Sequence, residues 1–162
     1  MTAAALTFLD TNVLLYSVDD GVPAKRDRAR QWVTACWTRR CGRTSAKVLE
    51  EFYAKARKTF PTAISAGDAR AIVRRYQHWN PWPNDSATLE TAWAIESRYG
   101  FAWWDALVVA AAQQQGCTYL VSEDMQHGQQ VDSVQILNPF VVGPEVLDGD
   151  PPTPTSIAKV QR

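Results

Sequence analysis

The chain has 162 residues, of which 46% are hydrophobic, 21% charged and 10% aromatic, and its 17 basic side chains balance 17 acidic ones. That length fits one domain with room for a real core, and the apolar content at zero net charge excludes a disordered chain. No stretch approaches the roughly 18 uninterrupted apolar residues of a membrane helix, and the even charge balance excludes the basic footprint of a DNA-coating protein.

In chain order, residues 6–9 read as a short buried strand ending at Asp10, and residues 13–18 begin a first helix. Asp19, Asp20, Gly21 and Pro23 punctuate the chain. Ala29, Trp32, Val33, Cys36 and Trp37 recur at helical steps, so 24–37 is an amphipathic helix closed by Arg39, Arg40 and Arg43. Thr44 falls in a very short strand, and Ser45 is an N-cap for a helix from Lys47 to Phe60. Ser65 caps a helix to Tyr76, and residues 78–80 are a candidate strand. Asp85 or Ser86 caps a helix to about Tyr99, closed by Gly100. Trp104 to Gln115 is an Ala/Val-rich helix ended by Gly116, and residues 118–121 and 134–137 are β-rich runs. From about Gly143 the chain is Pro-rich and polar, read as a tail with little fixed structure, which gives a domain over 1–142 and a tail over 143–162.

Short apolar strands alternating with helices indicate an α/β fold with a mostly parallel sheet. Ligands bind beyond the carboxyl ends of such strands. That places Asp10, after the first strand, and Glu123 and Asp124, after residues 119–121, where they can converge. The three cysteines (Cys36, Cys41, Cys117) are an odd set with no zinc spacing. They read as reduced thiols, with a cytoplasmic location expected. The short apolar start, interrupted by Asp10, does not fit a signal peptide.

Four segments carry a more specific signal: FLDTNVLLY (8–16), TSAKVLEEFY (44–53), FAWWDALVVAAA (101–112) and YLVSEDMQHGQ (119–129). In this order and spacing they resemble the PIN domain family, and within it the VapC-type toxin ribonucleases of bacterial toxin–antitoxin pairs. The resemblance extends to about Pro139. It implies an α/β/α sandwich and a metal-dependent endoribonuclease. Asp10, Glu51, Asp105 and Asp124 match the family's acids, which together hold Mg²⁺ or Mn²⁺, with Thr11, Asn12 and Ser122 as supporting polar groups. It also implies an RNA substrate, a small cognate antitoxin and a homodimer, with the helices at 24–37 and 45–60 as candidate antitoxin surfaces.

The chemistry is coherent on its own terms. Phosphodiester hydrolysis needs an activated water and relief of charge on the leaving oxygen, which divalent ions supply. Mg²⁺ takes carboxylates and water, and only two histidines are present for an imidazole mechanism. At 100° per residue, Glu51 lies nearer than Glu50 to the stripe of Val48, Leu49, Phe52 and Ala56. Asp10 and Asp105 also suit helix capping, a role compatible with the site. His127 reads as a solvated loop residue. At least one of Trp103 and Trp104 reads as core, with base stacking as the functional rival. Arg39, Arg40 and Arg43 are candidate phosphate contacts or simply a solvated helix end.

Three other readings compete. A PIN-fold RNA-binding or scaffold module would lack useful catalysis. A phosphotransfer enzyme resembling haloacid-dehalogenase-like phosphatases would need a second Asp where Asn12 stands. A dinucleotide-binding domain would need a G-x-G-x-x-G after a strand, and none is present.

Overall fold

The computed structural model describes residues 3–59 and 64–149. Five short strands form one sheet: β1 (Thr7–Leu9), β2 (Gly42–Arg43), β3 (Tyr119–Val121), β4 (Gln130–Val131) and β5 (Val134–Leu137), in the order β2-β1-β3-β5-β4. All pairings are parallel except β4 with β5. Among the described residues six α-helices accompany the sheet: α1 (Thr11–Tyr16), α2 (Pro23–Thr38), α3 (Ala46–Thr59), α4 (Ala66–Tyr76), α5 (Ser86–Tyr99) and α6 (Trp103–Gln114). The α/β class and the mostly parallel sheet agree with the sequence reading.

The strands are buried because helices cover them, so they read as apolar runs rather than alternating ones. Phe8, Leu9, Leu120, Val121 and Ile136 are fully buried. In α6 every residue from Ala106 to Ala112 is buried, and small side chains let this helix pack closely along α5. The caps follow the chemistry of their residues. Ser45 Oγ accepts from Val48 N–H at 3.2 Å to open α3. Asp85, rather than Ser86, caps α5, accepting from Thr88 N–H at 2.9 Å. Gly100 and Gly116 end α5 and α6 with φ of 72°, which a side chain would resist.

Two expectations need correction. Residues 78–80 are not a strand. Gln77–Trp79 is a 3-10 turn continuing α4, and Asn80 ends it with a left-handed φ of 50° ahead of Pro81. The bridge to the chain beside β2 is made two residues later, where Trp82 N–H donates to Thr44 O and Trp82 O accepts from Ala46 N–H. A single central aromatic suited either conformation, and the residue before a proline is disfavoured in the right-handed α region. Second, the stretch after Gly143 is not all loose. Pro144–Asp148 form a 3-10 turn, Leu147 is buried, and Asp148 takes a two-pronged hydrogen bond from Arg39. That contact also accounts for Arg39, while Arg43 donates to Gly42 O. The end of the α3 reading at Phe60 and the tail from Asp150 lie outside the described residues.

Candidate active site

The sheet itself brings the first acids together. Leu9 of β1 pairs in parallel with Val121 of β3, and Asp10 N–H donates to Val121 O at 3.1 Å. The next residues in register, Asp10 and Ser122, therefore leave the sheet side by side at its carboxyl edge. Ser122 Oγ donates to Asp10 Oδ2 at 2.8 Å, and the other carboxylate oxygen of Asp10 accepts from Thr11 N–H at 2.8 Å, capping α1. Asp10 is thus both cap and cleft residue.

Asn12 is the joint of this edge. Its Nδ2 lies 3.0 Å from Ser122 Oγ, 3.2 Å from Asp124 Oδ2 and 3.4 Å from Asp10 Oδ2, and its Oδ1 accepts from Glu123 N–H at 3.1 Å. A fixed amide so placed ties the turn after β3 to the start of α1. Asp124 N–H completes the turn by donating to Ser122 Oγ at 3.2 Å.

The helices supply the rest. Asp10, Thr11, Asn12, Glu51, Asp105 and Asp124 all line one cleft of about 740 Å³. Glu51 comes from the flank of α3 and Asp105 from the first turn of α6, whereas Glu50 points to solvent. Ser122 is fully buried beneath. All seven residues singled out from the sequence thus stand at this edge.

Burial dominates the electrostatics of the cleft floor. Asp10 is 7% exposed, and desolvation pushes its carboxyl up to about 6; hydrogen bonds from Thr11 and Ser122 oppose this, while Asp124 and Glu51 add to it. Asp105 is also raised, first by burial, then by Asp124, with Glu51 adding and Lys47 opposing. Glu51 differs. Burial raises it, but Lys47 at 3.1 Å and Lys55 at 3.4 Å outweigh burial and hold it below the ordinary carboxylate value.

Sequence reasoning missed these lysines and the neighbours of Glu123. Lys47, Glu51 and Lys55 stand four residues apart on one helix face, a spacing that signals ion pairing. Glu123 accepts from Tyr16 Oη at 2.8 Å and pairs with Lys25. Lys25 is itself buried, its ammonium lying over the rings of Tyr16 and Phe140 at 4.9 and 4.8 Å. Of the other residues weighed, His127 Nδ1 accepts from Asn138 N–H at 2.9 Å. Trp103 is half-buried and stacks on Trp93, whereas Trp104 is 61% exposed.

The donor set suits a hard cation. The carboxylates of Asp10, Glu51, Asp105 and Asp124 and the hydroxyls of Thr11 and Ser122 are oxygen donors, the ligands Mg²⁺ and Mn²⁺ prefer, whereas Asn12 turns its Nδ2 towards Asp10 and Asp124. The Thr11 hydroxyl is buried and makes no hydrogen bond of good geometry, though it lies near enough to Glu51 to help hold that carboxyl down. Asp10 and Asp105, each raised by burial and by the neighbouring Asp124 and Glu51, would be relieved by a cation. As they stand, no three acidic, histidine or cysteine side chains among the described residues form a ready ligand set; Glu51 is engaged by its own lysines.

A family model for the PIN domain matches residues 7–130. The chain belongs to the PIN domain family. Solved PIN-type structures share the fold at low identity. The toxin–antitoxin complex from Klebsiella pneumoniae is 18% identical, with a TM-score of 0.60 over 83% of this chain and 98% of that one. VapC20 from Mycobacterium tuberculosis, described as a sarcin-ricin loop cleaving toxin, is 20% identical, with a TM-score of 0.54 over 70% of this chain and 86% of that one. VapBC2 from Rickettsia felis, bound to a DNA fragment from its promoter, is 10% identical, with a TM-score of 0.55 over 81% of this chain and 96% of that one. No curated protein matches the sequence. No helix among the described residues of this PIN domain is long and apolar enough to cross a membrane.

Proposed function

We propose that this PIN domain is a metal-dependent endoribonuclease and the toxin of a toxin–antitoxin pair. The observation that carries the reading is the convergence of Asp10, Glu51, Asp105 and Asp124 on one cleft from four separate segments. These four acids would hold Mg²⁺ or Mn²⁺. Bound there, the ion supplies charge relief to a phosphodiester and lowers the pKa of water. The chain's own residues do the positioning. Ser122 and Thr11 N–H fix both oxygens of Asp10, and Asn12 holds Asp124 against the same edge. Lys47 and Lys55 keep Glu51 ionised, and would have to release its oxygens to a cation.

The structural relatives support the wider reading. Two are toxin–antitoxin assemblies and one is described as cleaving the sarcin-ricin loop. By analogy this chain acts on RNA, is held in check by a small antitoxin, works as a homodimer and resides in the cytoplasm. Unpaired RNA is the favoured substrate because its bases can be splayed into a cleft.

Asp105→Asn tests the assignment. It is expected to reduce metal-dependent RNA cleavage by at least about a hundredfold while leaving circular dichroism and Tm near those of the unsubstituted chain. Retained cleavage would remove Asp105 from the site.

A further inference from the structure

The cleft has two walls of opposite chemistry above its acidic floor. One is α3, whose cleft-facing stripe runs Lys47, Glu51, Lys55, Lys58. These positions recur at four, four and three residues, so they stay on one face over about 16 Å of helix. Lys55 and Lys58 are exposed, and nothing but Glu51 pairs with Lys55 among the described contacts. The other wall is apolar: Trp104 with Val108, one turn further along α6, and Leu15 from α1.

Trp104 is the anomaly. It stands immediately before Asp105, yet 61% of it is in water, while its neighbour Trp103 packs on Trp93. A large indole left in water costs favourable burial unless something else uses it. The Lys47 ammonium lies 5.1 Å from the ring centroid, bracing the indole from the α3 side. The rest of the ring is open to the cleft.

Resting on the ribonuclease reading, we infer that Trp104 is a base-stacking platform and the α3 lysines a phosphate track, which together select single-stranded RNA and deliver its backbone to the acids. A base can stack on an indole only when free of its own helix, so the platform discriminates against duplex. The lysines attract any phosphate chain, so they supply affinity rather than discrimination. Two lysines beyond the carboxylates also explain how an acidic floor tolerates a polyanion.

The test is binding, separate from cleavage. A short labelled single-stranded RNA of mixed sequence, and the same strand annealed to its complement, are titrated with the full chain carrying Asp105→Asn, in Mg²⁺, by fluorescence anisotropy. Adding Trp104→Ala is expected to weaken single-strand binding about tenfold, with duplex binding changed less than twofold; Trp104→Phe restores most of the loss. Adding Lys55→Gln and Lys58→Gln instead weakens both forms and lowers the salt slope for single strands by about 1.4. Single-strand affinity unchanged by Trp104→Ala would overturn the platform and leave the indole to a protein partner. An equal loss on duplex would overturn the discrimination, an unchanged salt slope would overturn the track, and no binding by the parent chain would overturn both. Cleavage by the unsubstituted chain is scored in parallel. Cleavage without these binding effects sinks this inference alone; these binding effects without cleavage sink the ribonuclease reading.

Discussion

Asp10 shows how a single residue can serve a site at the expense of the fold. Its carboxyl is buried and raised to about 6. A raised folded-state value means the native chain holds that proton more tightly than the unfolded one does. Stability therefore falls as pH rises from about 4 to about 6, and the cost is complete above that range. Asp10→Asn keeps one oxygen to accept from Thr11 N–H, gives up the acceptor that Ser122 Oγ uses and removes the charge. It is expected to stabilise the protein by about 2 kcal/mol at pH 7.5, raising Tm by about 5 °C. The gain should vanish below about pH 4. Thermal melts at both pH values check this, and a Tm that drops at pH 7.5 would show that the charge is compensated. Glu50 and Glu51 offer a second contrast. Glu51 lines the cleft and Glu50 faces solvent, so Glu51→Gln should cut cleavage at least about tenfold more than Glu50→Gln; equal rates would show that the face of α3 does not matter. The acids were legible in the sequence because each sits in a motif at an element's end. Lys25 was not, because a lone lysine on a helix is usually solvated and only the fold shows what it faces; Lys47 was legible only through its spacing to Glu51.

Among the elements, what was legible depended on length. Helices of eleven or more residues carry enough periodicity to be placed, and α2 through α6 fall close to their expected spans. β4 has two residues and no pattern of its own, so nothing in the sequence announced it. The turn at Gln77–Trp79 was misread because its one strong signal, Trp79, is a packing residue. Trp79 lies against Trp37 and Tyr76 with ring centroids at 4.8 and 4.9 Å. It also presses on Gly42 of β2, where an added Cβ would meet the indole at 2.3 Å. Gly42→Ala must therefore displace Trp79 or the strand, and is expected to cost about 2 kcal/mol. Chemical denaturation would read this as a lower midpoint at unchanged m-value; an unchanged midpoint would show that the indole moves freely. The 3-10 turn at Pro144–Asp148 was hidden by its polar, Pro-rich composition, though Leu147 and Asp148 both find partners in the folded chain.

For the whole molecule, the zero net charge proved a poor guide to the cleft. The sum conceals a local separation, with acids on the floor and lysines along α3. The PIN fold was legible because four motifs recur in order along the chain, and the family match over residues 7–130 agrees with it. The strand order β2-β1-β3-β5-β4 was not legible, since it depends on pairings between distant segments. That order is nevertheless what sets β1 beside β3, and so Asp10 beside Ser122. The central claim is that this edge cleaves RNA with the help of a cation. It is tested most directly by incubating the antitoxin-free chain with purified total RNA in Mg²⁺ or Mn²⁺, again with chelator, and beside Asp10→Ala. Discrete fragments that require both the metal and Asp10 are the expected result. RNA left intact by well-folded protein in both metals, or cut equally well by Asp10→Ala, would contradict it.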